Sequence, residues 1–94
     1  MLRITRQPGA DHDTLLLEGN LLKEWIQELQ EALAGARQNG AAVALDLSGL
    51  RFIDAEGTNL LRECRKRGIS LFGASPFVSA LLDPPPSRRR RSRS

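Results

Sequence analysis

The sequence predicts an α/β domain with a mixed four-stranded sheet and helices packed on it, in the order β-β-α-β-α-β-α. Short apolar runs typical of strands alternate with segments whose apolar residues recur at helical spacing, and Gly, Asn and Pro residues separate them. A short turn cluster joins the first two strand-like runs, which favours a hairpin, whereas the later strands need helical crossovers and so favour parallel pairing.

The first two strands are predicted near the start of the chain. Leu2 and Ile4 alternate with polar neighbours, which indicates the first strand. Residues 14–18 form a short apolar run after a turn cluster, and we expect Gly19 and Asn20 to end this second strand.

The next segment predicts an amphipathic helix. Acidic residues fall between its apolar ones, and Asn39 and Gly40 are a stop signal. Its apolar stripe consists of Leu22, Trp25, Ile26, Leu29, Leu33 and Ala36. We interpret Trp25 as a core residue rather than as a platform for a ligand.

Residues 41–47 predict a buried central strand, because the run is short and continuously apolar. We expect Ser48 and Gly49 to turn the chain. A second helix follows Asp54 and stops at Gly68, with basic residues in its closing turns. Its apolar positions are Leu60, Leu61 and Cys64.

Residues 69–72 predict the fourth strand, and Ser75 followed by Pro76 predicts the start of a short third helix. We expect the inward face of this helix to consist of Phe77, Val78, Leu81 and Leu82. The folded domain is predicted to span residues 1–83, and residues 84–94 are predicted to be a disordered tail of Pro, Arg and Ser.

Charge is distributed unevenly along the chain. Residues 1–83 contain nine Lys and Arg against eleven Asp and Glu, whereas the tail contains five Arg and no acid. The formal net charge of +3 therefore gives no argument that the folded domain binds nucleic acid. For the tail, two interpretations remain: a solubilising end, or a weak tether to nucleic acid or anionic lipid.

Composition argues against most chemistry. One cysteine and one histidine exclude an intrachain disulfide and a Cys-based zinc site, and we interpret Cys64 as a buried apolar residue. The sequence has no Gly-rich phosphate loop and no nucleophile elbow, and Asp46, Asp54 and Glu56 lack a basic partner for acid/base work. We expect no enzymatic activity, no cofactor and no metal.

The sequence also lacks the pattern of a membrane or secretory segment. No apolar run approaches the roughly 18 residues that a membrane span needs. Residues 1–6 do not form the apolar core of a signal peptide, so we expect a cytoplasmic protein.

One stretch of the chain resembles the signature of STAS domains, the fold of bacterial anti-sigma-factor antagonists. In that family a hydrophobic strand ending in Asp-Leu-Ser leads to an Asp-Ser-Ser-Gly motif and a helix, and a Leu-x-Gly-x-Leu segment ends the second strand. The matching segments here are Asp46-Leu47-Ser48, Asp54-Ala55-Glu56-Gly57, Leu60-Leu61 and, upstream, Leu17-Glu18-Gly19-Asn20-Leu21. The resemblance covers about residues 1–82.

This resemblance implies partner switching. In the best-known branch, an anti-sigma factor that is also a kinase phosphorylates the second Ser of the motif, and the unmodified form binds that factor. Here Glu56 matches the second Ser and Ala55 the first, so neither hydroxyl is present and phosphotransfer at this site is not possible. The implied partner-binding residues are Asp54, Ala55, Glu56, Gly57 and Thr58.

Three interpretations of Glu56 remain open. It is a stabilising acid in a first helical turn, worth about 0.3–1 kcal/mol; or it belongs to a domain whose binding is constitutive; or it imitates the phosphorylated, non-binding state. Thr58 and Ser48 are the nearest hydroxyls, and we do not expect either to be modified.

The resemblance leaves the partner open. An anti-sigma factor or switch kinase is expected first. Single STAS domains also serve as accessory subunits of lipid-transporting ABC systems, where the partner is the ATPase. Weak association into a homodimer is a further alternative.

Overall fold

A computed structural model describes residues 1–37 and 42–83. The four strands are β1 (Leu2–Pro8), β2 (His12–Leu21), β3 (Ala42–Ile53) and β4 (Ser70–Phe72). The three helices are α1 (Ile26–Arg37), α2 (Ala55–Lys66) and α3 (Pro76–Leu82), and a 3₁₀ turn, Lys23–Trp25, precedes α1. The predicted stop at Asn39 and Gly40, the first residue of the predicted third strand, Ala41, and the tail all lie outside the described residues.

The sheet is mixed, as the sequence predicts. Its strand order is β1-β2-β3-β4. β1 and β2 are antiparallel. β3 runs parallel to both of its neighbours, β2 and β4. Each parallel pair is joined by a helical crossover, because a short loop cannot return the chain to the same end of the sheet.

The core lies between the sheet and the helices. The helices α1 and α2 contact each other, α2 contacts α3, and all three contact β3. Alternate residues of β2, among them Leu15 and Leu17, are buried, as expected for a strand with one covered face. The largest fully buried side chains are Leu15, Leu17, Leu21, Leu29, Leu45, Leu47, Leu50, Ile53, Leu61 and Val78.

Strand β3 is longer than the sequence predicts. Ser48 and Gly49 do not turn the chain, and the strand continues to Ile53. The register of β2 on β3 shifts twice, between Leu16 and Glu18 and again between Gly19 and Asn20. A β-bulge or a similar irregularity of this kind disturbs the pairing locally without ending the strand.

Strand β2 also continues beyond its predicted end, to Leu21. Gly19 has a φ of 103°, and a Cβ there would collide with the carbonyl oxygen of Met1. Only glycine adopts this backbone without strain, so Gly19 lets β2 bend past the first residue of the chain and remain paired.

The helices follow the prediction except on the face of α3. Ser75 caps α3, since its Oγ accepts the N–H of Val78 at 3.2 Å. Val78 and Leu82 are buried, but Phe77 is 49% exposed. The expectation that Phe77 faces inward is therefore wrong. The sheet covers only one narrow stripe of this short helix, and residues four apart fill it.

One further expectation, the burial of Cys64 in the core, is met. Within residues 1–37 and 42–83, no helix is both long enough and apolar enough to cross a membrane.

Candidate functional site

The residues singled out by the sequence lie at one corner of the domain, where β3 leads into α2. Asp54 is the N-cap of α2, and the next four residues form its first turn. We call residues 54–58 the motif corner. Ala55 and Glu56 are exposed, whereas Gly57 is buried against the end of β2.

Asp54 joins three segments at this corner. Its Oδ1 accepts the N–H of Gly57 at 2.8 Å, which caps α2, and its Oδ2 accepts the N–H of Lys23 at 2.8 Å, which fixes the turn before α1. Its own N–H donates to the carbonyl oxygen of Leu21 at 3.2 Å. The sequence predicts the cap, but it gives no sign of the contact with Lys23, which lies far away along the chain.

These hydrogen bonds favour the charged carboxylate. The Gly57 amide is the strongest influence and lowers the pKa of Asp54; burial opposes it, and the Lys23 amide lowers the pKa further. The net direction is downward, as expected when several N–H groups point at a carboxylate. Asp54 is therefore ionised at neutral pH and works as a structural anion within the corner.

Gly57 allows α2 to approach β2 closely. A Cβ at this position would lie 2.6 Å from the carbonyl oxygen of Leu21 and 3.0 Å from its Cγ. The first distance is shorter than real Cβ contacts allow, and the second is tighter than nearly all of them. The motif glycine is thus required by the packing of the first turn of α2.

The hydroxyl of Thr58 is turned back toward its own helix. Its Oγ1 donates to the carbonyl oxygen of Asp54 at 2.9 Å, a bond that side chains of this type often make within a helix. Ser48 is exposed on β3, and its N–H donates to Asp46 Oδ1 at 3.0 Å. Asp46 itself lies eight residues before Asp54, roughly 25 Å along an extended strand, so these carboxylates do not form one cluster.

The corner presents one fixed negative charge to the solvent. Glu56 is exposed in the first turn of α2, where an acidic residue complements the helix dipole. No group of three or more His, Cys, Asp or Glu suited to a metal ion occurs among the residues that the structure describes.

An exposed aromatic pair lies beside the motif corner, and the sequence did not predict it. Phe52 is 43% exposed and Phe77 is 49% exposed, and their rings stack with centroids 5.8 Å apart at an interplanar angle of 20°. Together with Leu81 they line one shallow depression with Asp54, Ala55 and Thr58. We call Phe52, Phe77 and Leu81 the aromatic patch.

One signal in the sequence could have indicated half of this patch. Strand residues alternate between faces, and Ile53 is buried at the end of β3, so Phe52 must point away from the core. Nothing in the local pattern of α3 places Phe77 opposite it.

Trp25 is only partly buried, against the core, and its Nε1 is enclosed without a hydrogen-bond partner among the described residues. The predicted role as a core residue fits this packing.

Comparison with known proteins identifies the fold family. The family model described as "Mlab, STAS domain" matches residues 4–83, which confirms the resemblance drawn from the motif. None of the curated proteins matches the sequence.

Solved structures show the same fold at low sequence identity. The anti-sigma factor antagonist SpoIIAA in its unphosphorylated form is similar with a TM-score of 0.63 and 18% identity, over 89% of this chain and 84% of that chain. An uncharacterised protein with a SpoIIAA-like fold from Shewanella loihica has a TM-score of 0.54 and 14% identity, over 95% of this chain and 89% of that one.

A third structure, described as "Crystal Structure Analysis of Mglu", has a TM-score of 0.57 and 22% identity over 71% of this chain. This chain spans only 18% of the length of that one.

Proposed function

The chain belongs to the STAS domain family, and on that basis we propose that it is a non-enzymatic docking domain that binds another protein through the motif corner and the aromatic patch. The first partner we propose is an anti-sigma factor or a related switch kinase. The observation that carries this proposal is the stacked, half-exposed pair of Phe52 and Phe77 beside the corner.

An exposed aromatic pair is costly in water and favourable in an interface. Fully burying a Phe side chain stabilises by about 1.5–3 kcal/mol, so covering the exposed halves of both rings is worth about 2 kcal/mol. Aromatic residues are enriched in the cores of protein interfaces, where a few anchors contribute most of the binding energy. The aromatic patch supplies such anchors, and the motif corner supplies a polar rim.

The docking that we propose is not switched by phosphorylation within the motif. Ala55 and Glu56 carry no hydroxyl, and Glu56 holds about half the charge of a phosphoserine. A partner that docks here meets a constant negative charge beside an apolar surface. A basic residue on the partner, placed opposite Glu56, complements it.

The aromatic patch is tested by two serine substitutions with a matched control. In Phe52→Ser and in Phe77→Ser, we expect the affinity for the partner captured from the native cell to fall about fivefold, measured by titration, because each exposed half-ring contributes about 1 kcal/mol. The control is Phe72→Ser, since Phe72 is 48% exposed but does not line the depression at the corner. If all three variants bind equally well, docking does not use this surface.

The charge of Glu56 is tested separately by Glu56→Ala, Glu56→Ser and Glu56→Lys. If docking is constitutive and the partner is basic, the Ala and Ser variants should bind the partner more weakly than the wild type, and the Lys variant should bind it most weakly. Imitation of a phosphorylated, non-binding state predicts the reverse, with Ala and Ser binding more tightly than the wild type. A change of no more than a few tenths of a kcal/mol for Ala leaves Glu56 only its role in helix stability.

A second candidate partner is the ATPase of a lipid-transporting ABC system. The missing hydroxyls at positions 55 and 56 favour it, because a permanent accessory subunit needs no phosphorylation switch. Purification of the tagged chain from its native cell distinguishes the two partners. A complex with a permease and an ATPase that survives gel filtration supports this candidate, and a kinase-like partner eliminates it.

A further inference from the structure

A cleft of about 490 Å³ lies between α1 and α2. Its lining comes from one face of each helix, since the residues are spaced three and four apart, and from the residue that precedes β4. The lining residues are Gln30, Leu33, Ala34, Leu60, Glu63, Cys64, Arg67 and Ile69. We call this space the interhelical cleft. Its volume is typical of sites for small molecules, which also occur between packed helices.

The inner wall of the interhelical cleft is aliphatic. Leu33 and Ile69 are 8% and 6% exposed, and Leu60 packs partly buried against the core. The N–H of Ile69 donates to the carbonyl oxygen of Cys64 at 3.0 Å, which fixes the end of the cleft against α2. Leu60 and Arg67 are seven positions apart, about 10 Å along the helix. Since none of the lining residues is aromatic, the cleft suits an elongated aliphatic body.

The mouth of the cleft carries one unbalanced positive charge. Gln30, Glu63 and Arg67 are exposed, so they surround the opening. The carboxylate of Glu63 lies 3.9 Å from Lys66 Nζ, and these two charges offset each other. Arg67 has no ion pair among the described residues. A guanidinium group binds a carboxylate through two parallel hydrogen bonds, and the Gln30 amide on the facing helix is a further donor.

We propose that the interhelical cleft binds a small amphipathic molecule with an aliphatic body and a carboxylate. The body lies against Leu33, Leu60 and Ile69, and Arg67 and Gln30 hold the carboxylate at the mouth. Burial of the aliphatic body supplies most of the affinity, because an exposed ion pair contributes little. The charge of Arg67 selects anions over cations of the same shape.

The interhelical cleft is separate from the proposed docking surface. It shares no lining residue with the depression beside the motif corner. This inference therefore does not depend on the proposed docking function, and failure of either proposal leaves the other standing.

Nuclear magnetic resonance of the isotope-labelled full chain tests the site with three probes of equal chain length: octanoate, octanol and octylammonium. We expect octanoate to shift the backbone amides of residues 30–34 and 60–69, with a Kd on the order of 1 mM. Octanol should bind about threefold more weakly, and octylammonium more weakly still, because Arg67 favours the anion.

Two variants with matched controls locate the site. Ala34→Leu places a larger side chain in the cleft from an exposed position and should abolish the shifts, whereas Ala80→Leu, exposed on α3 outside the cleft, should keep them. Arg67→Gln should weaken octanoate binding about threefold and remove its advantage over octanol, whereas Arg3→Gln, which removes an exposed charge on β1, should change neither. A urea midpoint for each variant verifies that it is folded.

Four results would overturn the inference. Amide shifts that are absent at about 10 mM octanoate, or that centre on Phe52 and Phe77, would remove the site. Octylammonium binding as tight as that of octanoate would exclude a carboxylate as the recognised group. Unchanged octanoate binding in Ala34→Leu would place the probe elsewhere. Shifts of the cleft amides on dilution of the protein alone would make a second copy of the chain the occupant.

Discussion

The close approach of α2 to β2 predicts that alanine has opposite effects at two helical glycines. Gly57 lies in the first turn of α2, and Gly35 lies on the exposed side of α1. Helix propensity alone favours Ala over Gly at both positions by up to about 1 kcal/mol. The surroundings of the added Cβ decide whether each substitution stabilises or destabilises the domain.

At Gly57 the added methyl group meets a carbonyl that cannot retreat. Its Cβ would lie 2.6 Å from the Leu21 oxygen, which already accepts the N–H of Asp54. Overpacking of this kind costs about 1–3 kcal/mol, so Gly57→Ala should be destabilised by about 1 kcal/mol after the gain in propensity. At Gly35 a Cβ meets nothing within 4 Å, so Gly35→Ala should gain about 0.5–1 kcal/mol.

Urea unfolding measures both effects. Trp25 is the only tryptophan, so its fluorescence reports on unfolding, with helical circular dichroism as a second probe. With a slope near 1 kcal/mol per molar urea for a small domain, we expect midpoints displaced in opposite directions by roughly 0.5–1 M. A Gly57→Ala midpoint raised as far as that of Gly35→Ala would refute the argument from close packing.

Three further outcomes are expected. Asp54→Ala should lose about 1–2 kcal/mol at neutral pH, because the caps on Gly57 and Lys23 disappear. Because the pKa of Asp54 is lowered in the folded protein, this contribution is complete at neutral pH and is lost as the pH falls below about 4. The urea midpoints of wild type and Asp54→Ala should therefore converge at acidic pH. A gap between the midpoints that stays constant with pH would contradict this expectation. Trp25→Phe should change the free energy of unfolding by less than about 1 kcal/mol, because it removes an enclosed N–H that has no partner among the described residues. Trp25→Ala should lower it by about 2 kcal/mol or more. Urea unfolding followed by circular dichroism measures both variants. Cys64, 3% exposed, should react with a thiol reagent only as fast as the domain opens, and immediate labelling of the native protein would place it at the surface.

Local features of this fold could be predicted from the sequence because they depend on neighbouring residues. The cap at Asp54, the cap at Ser75 and the stripe of α1 each follow from residues within one or two turns. The motif corner is contiguous in sequence, and it was singled out through the family resemblance; its role in binding a partner stays a prediction.

Features that depend on distant partners could not be predicted. Strand β3 continues past Ser48 and Gly49 because it stays paired with β2 through two shifts of register, whereas a Ser-Gly pair read alone indicates a turn. Likewise, the four apolar residues of α3 form two adjacent stripes on the helix, and the sequence does not show which stripe faces the core. The position of the sheet determines that Val78 and Leu82 are buried. The aromatic patch could not be predicted, because it depends both on the continuation of β3 to Phe52 and on the orientation of α3 that leaves Phe77 exposed.

The corner separates residues that hold the fold from residues that we propose to contact a partner. The bonds of Asp54 and the contact of Gly57 with Leu21 point inward, whereas Glu56 and Phe52 are exposed to solvent. Because the inward contacts fix the first turn of α2, a change at an exposed position alters the surface but not its framework. Across variants of exposed positions, partner affinity and unfolding free energy should therefore be uncorrelated. A strong correlation between them would mean that the corner only stabilises the fold, and the docking proposal would lose its basis.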